Sequence, residues 1–379
     1  MPGLVQRSQS GSPGPSTGKR RALLIGINYA ATKDYVLEGP NADARTFKQL
    51  LKERYGYEEE DIKLMTDDDR CPKYLRPSRA NIRREAANLV RGAQSGDRFV
   101  FFYAGHADQE AAVDDTDEED GQDEEILGED DLSDDQSSTS SEQRIRDNDL
   151  RQILVDPLPA GSSLIAIFDC CHSGTMLDLE HYHCNLPWNP TWKTSPIAPY
   201  DLAAHHYRSM RHIHTPPHSR RPSENKSKTA TTATFPTSET TVASSRPRRM
   251  TWASLTNPPG EASEEATTTV ICTGECPKGD DDVAHIISIS ACLDSQLAWE
   301  GPDGGSITQV LVRFLRQKTD CTLYDVVLEL SRKLQHAGWL VEQQRAEQPE
   351  DFVDAPGPAY QVPQIGSRSA LDLHSQFTL

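Results

Sequence analysis

The sequence predicts an α/β domain: a mostly parallel sheet flanked by helices on both faces, a three-layer sandwich. Three observations predict it. Short, almost wholly apolar segments recur along the chain. Segments with apolar residues at helical spacing alternate with them. The apolar segments have no polar face to turn to water, so both sides of the sheet need covering.

Each element has its own justification. Ala22-Leu23-Leu24-Ile25-Gly26-Ile27-Asn28 is an apolar run closed by turn formers, as a buried strand is. Asn41 to Tyr55 carries Ala42, Phe47, Leu50 and Leu51 at roughly helical spacing. Asp61 to Thr66 is a second strand. Ser78 is an N-cap for a helix over Arg79 to Gly92, with Ile82, Ala86, Leu89 and Val90 on one face and Gly92 as the stop. Arg98 to Tyr103 is a third strand, Leu150, Ile153 and Leu154 a short helix, and Ser163 to Phe168 a fourth strand. Folded texture resumes with a strand over Val283 to Ser290 and helices over Ser306–Arg316 and Thr322–Leu340. No internal repeat is visible.

A chain of 379 residues has room for a sizeable core. Only 36% of it is hydrophobic, however, and it holds 23 Gly and 25 Pro, so part of it stays outside that core. Residues 1–19 read as a disordered Ser/Gly/Pro-rich arm. Residues 20–202 form the first folded region, interrupted by a disordered acidic insertion at about 108–143. Residues 203–280 read as a disordered Ser/Thr/Pro-rich linker, and 281–379 complete the same domain. The net charge is −19, and Asp108 to Asp135 alone contributes 16 acidic residues with no Lys or Arg. Phosphates are repelled by such a chain, which argues against nucleic acid and anionic membranes as partners and for a cation or a basic substrate. No apolar run is long enough to span a bilayer. Without an apolar h-region near the N-terminus, and with eight scattered cysteines read as reduced thiols, a cytoplasmic location is expected.

Ligands of an open parallel sheet bind at the carboxyl ends of its strands. Two strands end there in reactive side chains: Tyr103-Ala104-Gly105-His106, and Asp169-Cys170-Cys171-His172-Ser173-Gly174. A lone Cys is most often a small buried hydrophobe and a lone His a satisfied polar group. A thiol and an imidazole at neighbouring strand tips are instead the parts of a nucleophile–base dyad. The glycines let backbone N–H groups approach a developing oxyanion.

These motifs carry a family resemblance. Asp169-Cys170-Cys171-His172-Ser173-Gly174 is similar to the Asp-Ser-Cys-His-Ser-Gly segment of type I metacaspases, the caspase-like cysteine peptidases. Tyr103 to Gln109 resembles their Tyr-Ser-Gly-His-Gly-Gly-Gln, and Leu24 to Tyr29 their opening strand. Glu118 to Glu124, Ile145 to Leu150 and Gln364 to Leu373 resemble further family segments in the same order. The likeness covers about 21–185 and, more loosely, 283–379. It implies a caspase-like fold and an endopeptidase that cleaves after Arg or Lys through a thioester. It implies His106 as general base and Cys171 as nucleophile, with the N–H groups of Ala107 and Cys171 as oxyanion hole. Asp43 and Asp169 would line the S1 pocket, where paired carboxylates suit a guanidinium or ammonium. Asp123, Asp147, Asn148 and Asp178 match the family's calcium positions, so Ca²⁺ is an implied activator. Polypeptide substrates with a basic P1 residue, and a monomer, are further implications.

The chain departs from the family pattern at several of these positions. Ala107 stands where the family has Gly, which costs energy if the backbone there needs positive φ. Ala104 replaces a Ser, Pro40 a Cys, and Asn148 an Asp, while Cys170 replaces a Ser beside the nucleophile. These changes keep open an alternative, a weak or inactive caspase-like module that binds basic segments. Arg246-Pro247-Arg248-Arg249 fits a nuclear-localisation patch or a self-cleavage site. His181-Tyr182-His183-Cys184 and Cys272-x-x-x-Cys276 hold zinc-ligand residue types, but the distance between them in sequence favours plain side chains.

Overall fold

A computed structural model describes residues 18–112, 121–132, 144–185, 276, 283–294, 296–298, 306–347 and 361–379. The chain divides into two units, and every described residue falls in the one made of Met1–Ile213 with Val270–Leu379. The expected arm, except Gly18 and Lys19, and the expected linker, except Cys276, lie outside the described residues.

The strands are β1 (Arg20–Gly26), β2 (Ile62–Thr66), β3 (Arg98–Ala104), β4 (Ala107–Ala111), β5 (Gln122–Ile126), β6 (Ile145–Arg146), β7 (Ser163–Asp169), β8 (His285–Ser290) and β9 (Gln364–Ser367). The helices are α1 (Pro40–Tyr55), α2 (Arg79–Val90), α3 (Asp147–Leu154), α4 (Ile307–Gln317) and α5 (Leu323–Glu347). Six strands form one sheet in the order β2-β1-β3-β7-β8-β9. All its pairs are parallel except β8–β9. The predicted α/β class therefore holds, with β9 as an antiparallel edge.

Alternation along each strand feeds two cores. Ala22, Leu24, Val100, Phe102, Ile165, Ile167, Ile287 and Ile289 face α1, α4 and α5. Leu23, Ile25, Phe99, Phe101, Leu164, Phe168 and Ile286 face α2 and α3. Being apolar on both faces is what drives these segments into the middle layer. Phe47 of α1 stacks on Phe102 of β3, with ring centroids 5.0 Å apart and planes 17° apart. Phe47→Ala is expected to cost about 3–5 kcal/mol through lost burial and the cavity left behind. Denaturant unfolding checks this as a lower midpoint at unchanged slope.

Local signals explain the helix ends. Pro40 opens α1, and Gly56 closes it in the left-handed region at φ 68°. Ser78 caps α2 as predicted, accepting the Asn81 N–H. Ser306 caps α4 by accepting the Gln309 N–H. One face assignment in α1 is corrected: Ala42 is exposed, and Asp43 turns inward beside Ala44. An acidic side chain is buried there because α4 supplies it with donors.

The acidic stretch is corrected as well. Residues 108–112 and 121–132, expected within a disordered insertion, are ordered, with β4 and β5 forming an antiparallel sheet with β6. The carboxylates are compensated by four arginines from outside the stretch, one of them Arg76, which pairs with Glu129 at 2.6 Å. Arg144 pairs with Asp108 at 3.2 Å and Glu125 at 3.0 Å. Arg146 reaches Glu110 at 3.3 Å and Asp123 at 3.1 Å, and Arg79 reaches Asp131 at 3.2 Å. Glu125 and Asp131 are buried, and burial pushes them up to about 7 and about 6. Residues 113–120 and 133–143 of the expected insertion lie outside the described residues.

Candidate active site

Strand register assembles the site. Gly26 pairs with Ala104, and Ala104 with Asp169, so the tips of β1, β3 and β7 lie side by side. His106 follows Ala104 by two residues, and Cys171 follows Asp169 by two. The imidazole and the thiol therefore leave one edge of the sheet from adjacent parallel strands. Gly105 makes the crossing possible: a Cβ there would lie 2.9 Å from the Tyr103 hydroxyl and 3.0 Å from that of Tyr29.

Those two phenols hold the His106 backbone. The Tyr29 oxygen accepts its N–H at 3.1 Å, and the Tyr103 hydroxyl donates to its carbonyl at 2.5 Å. The Tyr29 proton goes to the Leu127 carbonyl at 2.7 Å. Burial pushes both phenols far above their usual range, so they stay protonated as donors. His106 Nε2 lies 2.8 Å from the Tyr35 carbonyl. A carbonyl only accepts, so Nε2 carries the proton and Nδ1 keeps its lone pair in the neutral ring. The ring also rests against Tyr29, with centroids 4.7 Å apart. Burial holds the imidazole below its usual value. Tyr29, Tyr35 and Tyr103 were not singled out from sequence as site residues. Tyr35 acts through its backbone, which leaves no mark on residue type.

Cys171 is half-buried, and its sulfur accepts the Ala298 N–H at 3.3 Å. Burial pushes the thiol up to about 11. With the imidazole held low, the resting pair is neutral at pH 7. The next residue, His172, has φ 50°. This strained turn is pinned from the loop after β8: the Asp294 carbonyl lies 2.5 Å from His172 Nδ1, and the His172 N–H donates to Gln296 at 3.1 Å. Cys170 and Cys171 are both free thiols, and Cys170 is buried, so the expected Ser-to-Cys change adds an apolar side chain.

Ala107 opens β4 opposite Ile126, and the Leu127 N–H donates to the His106 carbonyl. That pattern makes Ala107 a non-hydrogen-bonded pair of the ladder, so its own N–H points away from β5. Positive φ outside glycine occurs, among the described residues, at Tyr29, His172 and Asp178 only. Ala107 therefore bears none of the backbone penalty that its Cβ raised from sequence. Ala104 packs into the core, and Pro40 is buried at the start of α1.

Asp43 and Asp169 converge on the first turn of α4. Asp43 accepts from Ser306 Oγ at 2.8 Å and Gln309 Nε2 at 3.2 Å. Asp169 accepts from the Thr308 N–H at 3.1 Å and Thr308 Oγ1 at 2.5 Å. Burial pushes the Asp43 carboxyl up. Sequence reasoning missed these three α4 residues, because nothing in their types distinguishes them from an ordinary helix start.

Of the four expected calcium positions, Asp123 and Asp147 are held by partners within the chain. Asp123 pairs with Arg146 at 3.1 Å. Asp147 is fully buried and accepts two backbone N–H groups, from Glu124 and Asn148, each at 2.6 Å. Asn148 is exposed. Among the described residues, the only group of three or more His, Cys, Asp or Glu with ligand atoms all within 4.8 Å is His181, Cys184 and Cys276.

Comparison with known proteins agrees with this geometry. Residues 20–180 match the family model described as metacaspase, peptidase C14 domain. Over 167 residues the chain is 45% identical to Metacaspase-1 of Cryptococcus neoformans var. neoformans serotype D, covering 44% of this chain and 34% of that one. It is 43% identical over 166 residues to Metacaspase-1 of Mycosarcoma maydis, covering 44% and 38%. Against Metacaspase-1A of Aspergillus terreus it is 41% identical over 167 residues, covering 44% and 39%. The chain thus spans less than two fifths of these relatives' length. A solved Geobacter sulfurreducens protein superposes over 94% of this chain and 97% of its own at TM-score 0.45 and 17% identity, too distant to support a reading. No described helix is long and apolar enough to cross a membrane. Over residues 20–180, with a thiol and an imidazole at adjacent strand tips, the chain is similar to the metacaspase family's peptidase C14 domain.

Proposed function

We propose that the protein is a cysteine endopeptidase that cleaves polypeptides after Arg or Lys. The observation that carries this reading is the β3–β7 register, which sends His106 and Cys171 off one edge of the sheet beside Asp169. In this reading the Cys171 sulfur bonds to the scissile carbonyl carbon as its proton passes to His106 Nδ1. The C–N bond then breaks and the leaving amine takes that proton. Water, deprotonated by the same imidazole, releases the acid from the thioester. The Tyr35 carbonyl fixes the tautomer this requires and favours the imidazolium that forms. The N–H groups of Ala107 and Cys171 are the oxyanion donors of this scheme, and the off-ladder direction at Ala107 supports that role. Asp43 and Asp169 take the basic P1 side chain, where their charge favours a cation and repels an acidic residue.

The test is cleavage of a fluorogenic Arg-terminated peptide by the full chain, with Cys171→Ala as control. Equal silence of both proteins rejects catalysis and favours the binding-module alternative. Ala107 and Ala104, which depart from the family pattern in sequence, are the observations behind that alternative. Calcium is a separate element of the proposal. An ion at Asp123 has to displace the Arg146 guanidinium first, so no step above runs through it. Activity unchanged by a chelator removes calcium from the account.

Self-cleavage between 203 and 280 follows from the same specificity, since that stretch is rich in Arg and Lys. Mass spectrometry of new N-termini is expected to show cuts after Arg or Lys in the wild type and none in Cys171→Ala. Cuts after other residues contradict it. The substrates are expected to be polypeptides, met by a cytoplasmic or nuclear monomer.

A further inference from the structure

Away from the His106–Cys171 pair, the fold assembles a set of soft ligand atoms. The His181 ring, the Cys184 sulfur and the Cys276 sulfur all lie within 4.8 Å of one another. All three residues are half-buried, so an ion can enter and still be shielded. No disulfide joins the two cysteines. Cys184 Sγ lies 3.6 Å from His181 Nδ1. A tetrahedral zinc ion, with bonds of roughly 2.3 Å to sulfur and 2.0–2.1 Å to nitrogen, holds such ligands about 3.6 Å apart. The pair thus already stands at the spacing a bound ion imposes.

The frame beneath the cluster is fixed. His181 exchanges two backbone hydrogen bonds with Ser367 of β9, at 3.0 and 2.8 Å. Asn185, buried, donates to the His181 carbonyl at 2.7 Å and to Ser367 Oγ at 2.8 Å. These bonds set the backbone that presents the His181 ring and the Cys184 thiol. Cys276 comes from the far side of residues 186–275 and meets them there.

We propose that His181, Cys184 and Cys276 form a zinc site, with water or an exogenous ligand in the fourth position. Two thiolates and an imidazole suit zinc, whereas calcium and magnesium take oxygen ligands. Binding replaces two S–H bonds by two sulfur–metal bonds and releases two protons, with no change of oxidation state. The ion ties the chain on both sides of 186–275 to the β9 edge, in a place separate from the catalytic thiol.

The test uses the full chain carrying Cys171→Ala, which removes the catalytic thiol and keeps the chain whole. Metal-free, reduced protein is titrated with zinc against a chromophoric chelator, and bound metal is counted by mass spectrometry. One zinc per chain is expected, and cobalt loading is expected to show a thiolate-to-metal charge-transfer band. Adding Cys184→Ser or Cys276→Ser is expected to weaken zinc binding by at least about 100-fold, while Cys71→Ser and Cys321→Ser leave it unchanged. His181→Asn tests the same site without touching a thiol, and far-UV circular dichroism confirms that each variant is folded. Zinc below about 0.2 equivalents in the parent overturns the proposal. So does cobalt binding without charge transfer, affinity unmoved by Cys276→Ser, or a Cys184–Cys276 disulfide in protein isolated without reductant.

Discussion

Replacing Cys171 with Ala is expected to lower kcat/KM on an Arg-terminated peptide by about 10⁴-fold or more, because no other group can carry the acyl intermediate. The fold should be unaffected, since Ala fills most of the same half-buried volume. The resting site makes a second, sharper expectation. Burial pushes the Cys171 thiol up to about 11 and holds His106 low, so the thiol is neutral without substrate. At pH 7.5 the thiolate fraction is then on the order of one in 10³ to 10⁴. Iodoacetamide should therefore modify Cys171 slowly at neutral pH, with a rate that climbs about tenfold per unit towards pH 11. A chloromethyl ketone built on an Arg peptide should react quickly at pH 7.5, because it brings its carbonyl to the oxyanion donors and draws the proton onto His106. Mass spectrometry of the Cys171 peptide reads both rates. A fast iodoacetamide rate, flat from pH 6, means a standing thiolate–imidazolium pair and overturns this account.

The parts of this site that were legible in the sequence are those that residue type announces. Phe99 to Phe102 and Leu164 to Phe168 are apolar on both faces, which marks central strands, and their tips carry His106 and Cys171. Parallel register then sets those two tips side by side. What stayed hidden depends on contacts distant in sequence. The acidic hairpin reads as disordered because Asp123 and Glu125 lack local partners, and Arg144 and Arg146 reach them only through β6. The same is true of Asp43, whose burial depends on Ser306 and Gln309 far along the chain. Periodicity puts position 43 on the face of Phe47, Leu50 and Leu51, but residue type favours Ala42 over an acidic side chain for burial. Tyr35 contributes a carbonyl, and His172 contributes a φ of 50°, neither of which is written in a side chain.

Asp169→Asn is expected to reduce kcat/KM on the Arg peptide by about 10²- to 10³-fold, about 3–4 kcal/mol, because it leaves a guanidinium without its counter-charge. Its fold should survive. Thr308 donates to a single carboxylate oxygen of Asp169 through both its N–H and its hydroxyl, and an amide oxygen can accept the same two bonds. Asp43→Asn should cost similar activity but behave differently in stability. Burial raises the Asp43 pKa, so the folded chain holds that proton more tightly than the unfolded one. The stability this contributes is fully present below the unfolded pKa and is lost as pH rises through the folded pKa. Asparagine mimics the protonated form at every pH, and Gln309 can turn its amide to match. The variant is therefore expected to melt at or above the wild-type temperature at pH 7.5, with the difference closing at low pH. A citrulline-terminated peptide separates charge from shape, since it keeps the outline of Arg without the cation. Loss on Arg with little change on citrulline supports the electrostatic pocket, whereas equal loss on both means that Asp43 and Asp169 only shape the start of α4.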